Sequence, residues 1–166
     1  LGNGFDIAMG RKTKYTDFIE FEQRLFAEPE SDLQAFLDSR SIDIDKYKDN
    51  LYLKFINENR DKIGENWSNL EIVISQLADA IIFFKDNNEI LFNVTSSNQI
   101  WLLEDKLLKE KNYVSKVYIA KVFIELYRYK GWRILEREVA LEKLNNEFIN
   151  QLDLLIELLE IYLSYL

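Results

Sequence analysis

The sequence predicts a predominantly α-helical chain, on three observations. Only five glycines and one proline interrupt 166 residues, so backbone breakers are scarce. Trp67, Leu70, Ile74, Leu77, Ile81 and Phe84 alternate steps of three and four, one continuous helical stripe. A second stripe of the same spacing runs Leu141, Leu144, Phe148, Leu152, Leu155, Leu159, Tyr162 and Leu166.

Taken in order, residues 1–15 read as the end of a strand followed by a glycine-rich turn, and 16–166 as a helical region. Residues 16–27 form a helix with Phe18, Phe21 or Glu22, and Leu25 on one face. Ser31 to Gln34, just after Pro29, is a capping-box pattern that starts a second helix near Asp32. Tyr47, Leu51, Phe55 and Ile56 mark a short amphipathic helix within 46–60. The clearest helix is 68–85, with Ser68 and Glu71 as a second capping box and Trp67 placed to staple onto Ile72. Asn87-Asn88 ends it, and Thr95 to Asn98 reads as a turn or cap. Helices over 99–110 and 113–130 flank Lys111-Asn112, and one helix or two nearly collinear ones fill 132–166. The final turns are apolar nearly all round, which calls for neighbours. With no initiating Met, and a strand expected upstream, the chain is expected to be truncated at both ends.

Charge and composition exclude whole classes of function. The formal net charge is −8, so the average field repels phosphates, and a general nucleic-acid partner is not expected. One stretch departs from this: residues 106–137 carry nine Lys/Arg against three acids. The plain reading is solvated helix faces. The sharper one is an anion- or partner-binding surface helped by Tyr113, Tyr118, Tyr127, Tyr129 and Trp132. There is no Cys and no His. Disulfides, thiolate zinc sites, His-based triads and His metal sites are therefore excluded. Asp43 and Asp45 lack a third ligand nearby, so no metal is expected. No run of roughly 18 apolar residues exists, so no membrane helix is expected. An acidic, disulfide-free chain fits a reducing cytoplasm.

The chemistry concentrates in Leu1 to Phe18. Gly2-Asn3-Gly4 after an apolar residue suits a tight turn that exposes backbone N–H groups. At the carboxyl end of a strand, such a turn is where phosphates bind in α/β folds. The dinucleotide fingerprint would need glycine at position 7, which is Ile7, and no Gly-Lys-Ser/Thr follows. On spacing alone, a phosphate loop and an ordinary tight turn both stay open. Asp6 reads equally as a cap or turn former and as a ligand contact.

The longer string is more specific. Gly2, Asn3, Gly4, Phe5, Asp6, Gly10, Thr13, Tyr15 and Phe18 resemble the opening of the AbiH family of bacterial abortive-infection, phage-resistance proteins. Trp67 to Glu71 is similar to a second stretch typical of that family. AbiH proteins in turn look like distant relatives of sirtuin-like NAD-binding domains, and Gly2, Gly4, Asp6 and Gly10 fall on the sirtuin glycine-loop spacing. The resemblance implies a Rossmann-like, sirtuin-like parallel sheet in the parent protein, with the present helices as a large insertion or cap. It implies that Gly2, Asn3, Gly4, Phe5, Asp6 and Gly10 bind an NAD-like nucleotide, and that the parent is an NAD-cleaving glycohydrolase in antiphage defence. Asp6 stands where sirtuins have a small hydroxyl residue. The family's Phe-Asn-Tyr-Thr and His-Gly stretches are absent, so this segment alone is expected to be inactive. The competing expectation is a non-catalytic helical module that senses a phage-derived trigger or forms a homo-oligomer.

Overall fold

The computed structural model describes residues 15–62, 67–97 and 100–166. Among them are eight α-helices and no strand. In order, the helices are α1 (Tyr15–Phe26), α2 (Ser31–Ser39), α3 (Leu51–Glu58), α4 (Trp67–Asp86), α5 (Asn88–Ser97), α6 (Ile100–Leu107), α7 (Tyr113–Tyr129) and α8 (Arg137–Tyr165). Short 3-10 turns stand at Ile44–Tyr47, Arg60–Lys62 and Trp132–Ile134. The predominantly helical prediction holds for the described residues taken together. The expected strand end at 1–15 lies outside the described residues, apart from Tyr15 at the start of α1.

Two compact units share the chain. The first holds the described residues up to Val73 together with 150–166, and the second holds 74–149. In the first unit, Phe18, Leu25, Leu33 and Ile56 are fully buried, so α1, α2 and α3 each supply a core face. The end of α8 joins them through aromatic contacts. Tyr162 lies 5.6 Å from Phe18 and 5.0 Å from Phe21, and Tyr165 lies 5.1 Å from Phe36, centroid to centroid. Such pairs are worth about 0.5–1.5 kcal/mol beyond the area they bury.

The second unit packs α5, α6 and α7 on one another. Its core is built on Leu77, Phe84, Leu91, Leu103, Leu107, Ile119, Phe123 and Leu144, all fully buried. Phe123 is the hub of an aromatic cluster, 5.4 Å from Phe92, 5.5 Å from Tyr127 and 6.0 Å from Trp132.

Local details depart from the sequence expectations in three places. Ser31 does not cap α2. The cap position is Glu30, without a side-chain bond, and Gln34 donates to Asp38 one turn on (2.9 Å) instead of reaching back. The break expected at Asn87-Asn88 lasts one residue only, and 88–97 is a further helix. Asn87 N still donates to Phe83 O at 2.9 Å, while Leu91, Phe92 and Val94 become buried. Within 46–60 the amphipathic segment divides into a 3-10 turn and α3, because Asn50 intervenes as an N-cap. Its Oδ1 accepts from the N–H groups of Tyr52 and Leu53. The capping box at Ser68 and the Trp67 staple involve side chains outside the described ones, although α4 itself begins at Trp67.

Among the described residues no helix is long and apolar enough to cross a membrane.

Candidate functional site

The nucleotide-loop candidates Gly2, Asn3, Gly4, Phe5, Asp6 and Gly10 all lie outside the described residues. What the structure shows is the helix that follows them. α1 begins at Tyr15 and is amphipathic, with Phe18, Ile19, Phe21 and Leu25 buried. Its apolar side anchors it in the first unit.

One polar group interrupts that buried side. Glu22 is half-buried, and its Oε2 is enclosed without a hydrogen-bond partner. The side chain of Asn57, on α3, hydrogen-bonds the Glu22 carboxylate. Asn57 is itself held by Arg60, whose Nη2 donates to Asn57 Oδ1 at 3.1 Å. Burial pushes the Glu22 carboxyl above its ordinary range; the Asn57 hydrogen bond and the Arg60 charge act the other way and are outweighed. The result is a carboxyl group that keeps its proton to higher pH than a surface glutamate. A group of that kind can hold or give up a proton at a fixed place. Its sequence signal is a single acid at a core-facing position of an apolar helix. Helical spacing alone leaves either Phe21 or Glu22 on that face and gives Glu22 no role.

A second polar constellation joins distant parts of the chain in the first unit. Asn50 is buried, and its Nδ2 donates to Gln151 O at 2.8 Å. Gln151 Oε1 in return accepts from Leu51 N at 3.0 Å. With both of its functional groups engaged, Asn50 acts as a structural clasp. Asp49, just before it, takes the left-handed conformation (φ 59°) that the tight entry into α3 requires.

A cleft of about 230 Å³ opens between α2, the first 3-10 turn and the end of α8, lined by Phe36, Arg40, Ile42, Tyr47, Glu157 and Ile161. Lys46 pairs with Glu157 at 3.2 Å at its edge, and the Arg40 guanidinium lies 5.2 Å over the Phe36 ring. Small-molecule pockets run from about 300 to 1,000 Å³, so this cleft is too small for a dinucleotide.

Of the remaining sequence candidates, Glu71 is exposed on α4. Asp43 Oδ1 accepts from Asp45 N at 3.1 Å, which makes it the cap of a 3-10 turn. Among the described residues no group of three His, Cys, Asp or Glu side chains is placed to hold a metal ion.

Comparison with known proteins adds one finding. A family model described as bacteriophage abortive infection AbiH matches residues 1–150. No curated protein and no solved structure matches the chain.

Proposed function

The chain belongs to the AbiH family, the family of bacteriophage abortive infection, and from that premise we propose that it defends bacteria by binding or hydrolysing NAD or a related nucleotide. The carrying observation is the string Gly2-Asn3-Gly4-Phe5-Asp6 with Gly10, which lies within the family match. Two glycines around one residue leave backbone N–H groups free to meet a diphosphate. Asp6 favours a ribose hydroxyl, because a carboxylate beside a diphosphate is repelled. Hydrolysis would break the bond between nicotinamide and ribose, water supplying the hydroxyl to the sugar carbon and the proton to the medium. The sirtuin-like sheet and the bacterial cytoplasm belong to the same proposal.

The test is NAD turnover by the full-length protein, purified and in phage-infected cells, beside an Asn3→Ala/Asp6→Ala double variant. NAD should fall with the wild type and hold with the variant, while helix content is the same in both. NAD that stays level in infected cells that are nonetheless protected would sink the hydrolysis reading.

A second reading, a helical sensing or dimerisation module, has an observation of its own. Ile149, Leu152, Ile156 and Leu163 are spaced three, four and seven apart on one face of α8, and each is exposed or half-exposed. A stripe of that kind suits a second copy of the chain or a phage-derived trigger.

A further inference from the structure

The basic stretch 106–137 is not one surface. Lys116 is tied to its own unit: its Nζ lies 4.3 Å over the Phe83 ring, 2.8 Å from Lys111 O and 3.9 Å from Glu110. Lys121 is neutralised by Glu104 at 2.9 Å. Tyr118, Phe123 and Trp132 are buried, which withdraws three of the six aromatic residues in the stretch from any ligand. Outward cations remain at two places: Lys106, Lys109 and Lys111 about the connection from α6 to α7, and the corner between α7 and α8, where four cations stand beside an outward tyrosine. Arg128, Lys130, Arg133 and Arg137 are all exposed there, and none forms an ion pair among the described residues. Glu136 is the only acid between Arg128 and Arg137. Beside these cations Tyr129 is 82% exposed and Ile134 91% exposed.

The corner is built rather than loose. Gly131 makes the turn in the left-handed region (φ 67°). Trp132 is buried against Phe123 and pins the turn, and Leu135 N closes it on Trp132 O at 3.0 Å. The Arg137 guanidinium lies 5.0 Å over Phe92, which fixes the far side. Helix energetics accounts for Arg128 and Lys130 at the C-terminal end of α7, where the dipole welcomes cations. It does not account for Arg137, the first residue of α8, where the dipole opposes one.

We propose that this corner, residues 128–137, binds single-stranded nucleic acid, with Arg128, Lys130, Arg133 and Arg137 on successive phosphates and Tyr129 stacked on a base. Guanidinium forks match phosphate oxygens in pairs. An aromatic face standing in water beside them is the usual second component of such sites. A protein partner would be expected to bury about 800 Å² per side around an apolar centre. Here the outward apolar groups of the corner are two side chains set among cations. The net charge of −8 does not by itself exclude this, because screening cuts the reach of exposed charges to about 8–10 Å at physiological salt.

The experiment measures binding of fluorescent oligouridylate and oligothymidylate of about 20 nucleotides to the full-length protein across a salt series. Four phosphate contacts on a single strand predict a loss of about 50-fold in affinity from roughly 50 to 200 mM salt. Arg128→Gln/Lys130→Gln/Arg133→Gln should flatten that dependence and weaken binding at low salt. These side chains are exposed, so circular dichroism should be unchanged. Tyr129→Ala should weaken binding about five- to hundredfold, and Tyr129→Trp should restore it. Absence of binding at low salt overturns the proposal, and so does binding that the triple variant leaves intact. Polyglutamate bound through the same three residues, with the oligonucleotides ignored, overturns it in favour of an acidic protein partner.

Discussion

A single carboxyl group shows how packing changes chemistry at fixed sequence. Glu22 belongs to a helix whose other buried positions are apolar, and folding α1 into the first unit takes part of its carboxylate out of water. Asn57 and Arg60 return some of the lost solvation, but burial outweighs them, and the group ionises less readily than in the unfolded chain. The sign of the stability effect follows. The folded state binds the Glu22 proton more tightly, so the stabilisation from this group is fully present below the ordinary value of 4.5 and is lost as pH rises through the raised folded value. Glu22→Gln removes the titration. Melting temperatures of the two proteins should nearly coincide in acid and diverge with rising pH, the variant being the more stable at neutrality. Parallel melting curves from pH 4 to 8 would show that the burial carries no such penalty.

At the scale of an element, α4 is legible both as a helix and, within one residue, in the face it buries. The three-and-four spacing picks out Leu70, Ile74, Leu77, Ile81 and Phe84, and the structure buries Leu70, Val73, Leu77, Ala80, Ile81 and Phe84. Ile74 is only half-buried, while Val73 and Ala80, outside the stripe, are buried, so the core face is turned slightly toward them. Val73→Ala should therefore cost about 2 kcal/mol, and Ile74→Ala less, although isoleucine loses more carbon. Urea unfolding of both variants decides it, and a larger cost at Ile74 would centre the core on the stripe rather than toward Val73. α5 was missed. Asn87, Asn88 and the Thr-Ser-Ser run are local stop signals, yet Thr95 Oγ1 satisfies itself on Phe92 O at 2.8 Å and leaves Leu91, Phe92 and Val94 to drive the helix by burial. The Ser31 capping box failed in the opposite sense: the right residues stand at the right spacing, and Gln34 finds Asp38 instead.

For the whole molecule, the question is what the outward surfaces meet. The stripe of Ile149, Leu152, Ile156 and Leu163 on α8 is the surface on which the dimerisation reading rests. If it pairs with a second copy, sedimentation velocity should give a dimer for the wild type and a monomer for Ile149→Glu/Ile156→Glu, with helix content preserved. A wild-type monomer at micromolar concentration would leave that face to some other partner. The corner at 128–137, in the second unit, is of opposite character, cationic where the stripe is apolar.

The helical character of the chain, the positions of most helices and the family were readable from the sequence. Breaker scarcity, apolar spacing and a distinctive glycine string are local properties, and they survive without knowledge of neighbours. The proposed nucleotide loop, Gly2 to Asp6, rests on the sequence alone. Tertiary structure decided everything that depends on which side of a helix meets another. It buried Val73 and Ala80 beside the apolar stripe of α4, raised the proton affinity of Glu22, turned Asn50 into a clasp with Gln151, 101 positions away, and engaged two cations of the diffuse basic stretch while leaving a cationic corner outward. Each is a matter of solvent exclusion by residues distant in sequence, and spacing along the chain carries no record of that.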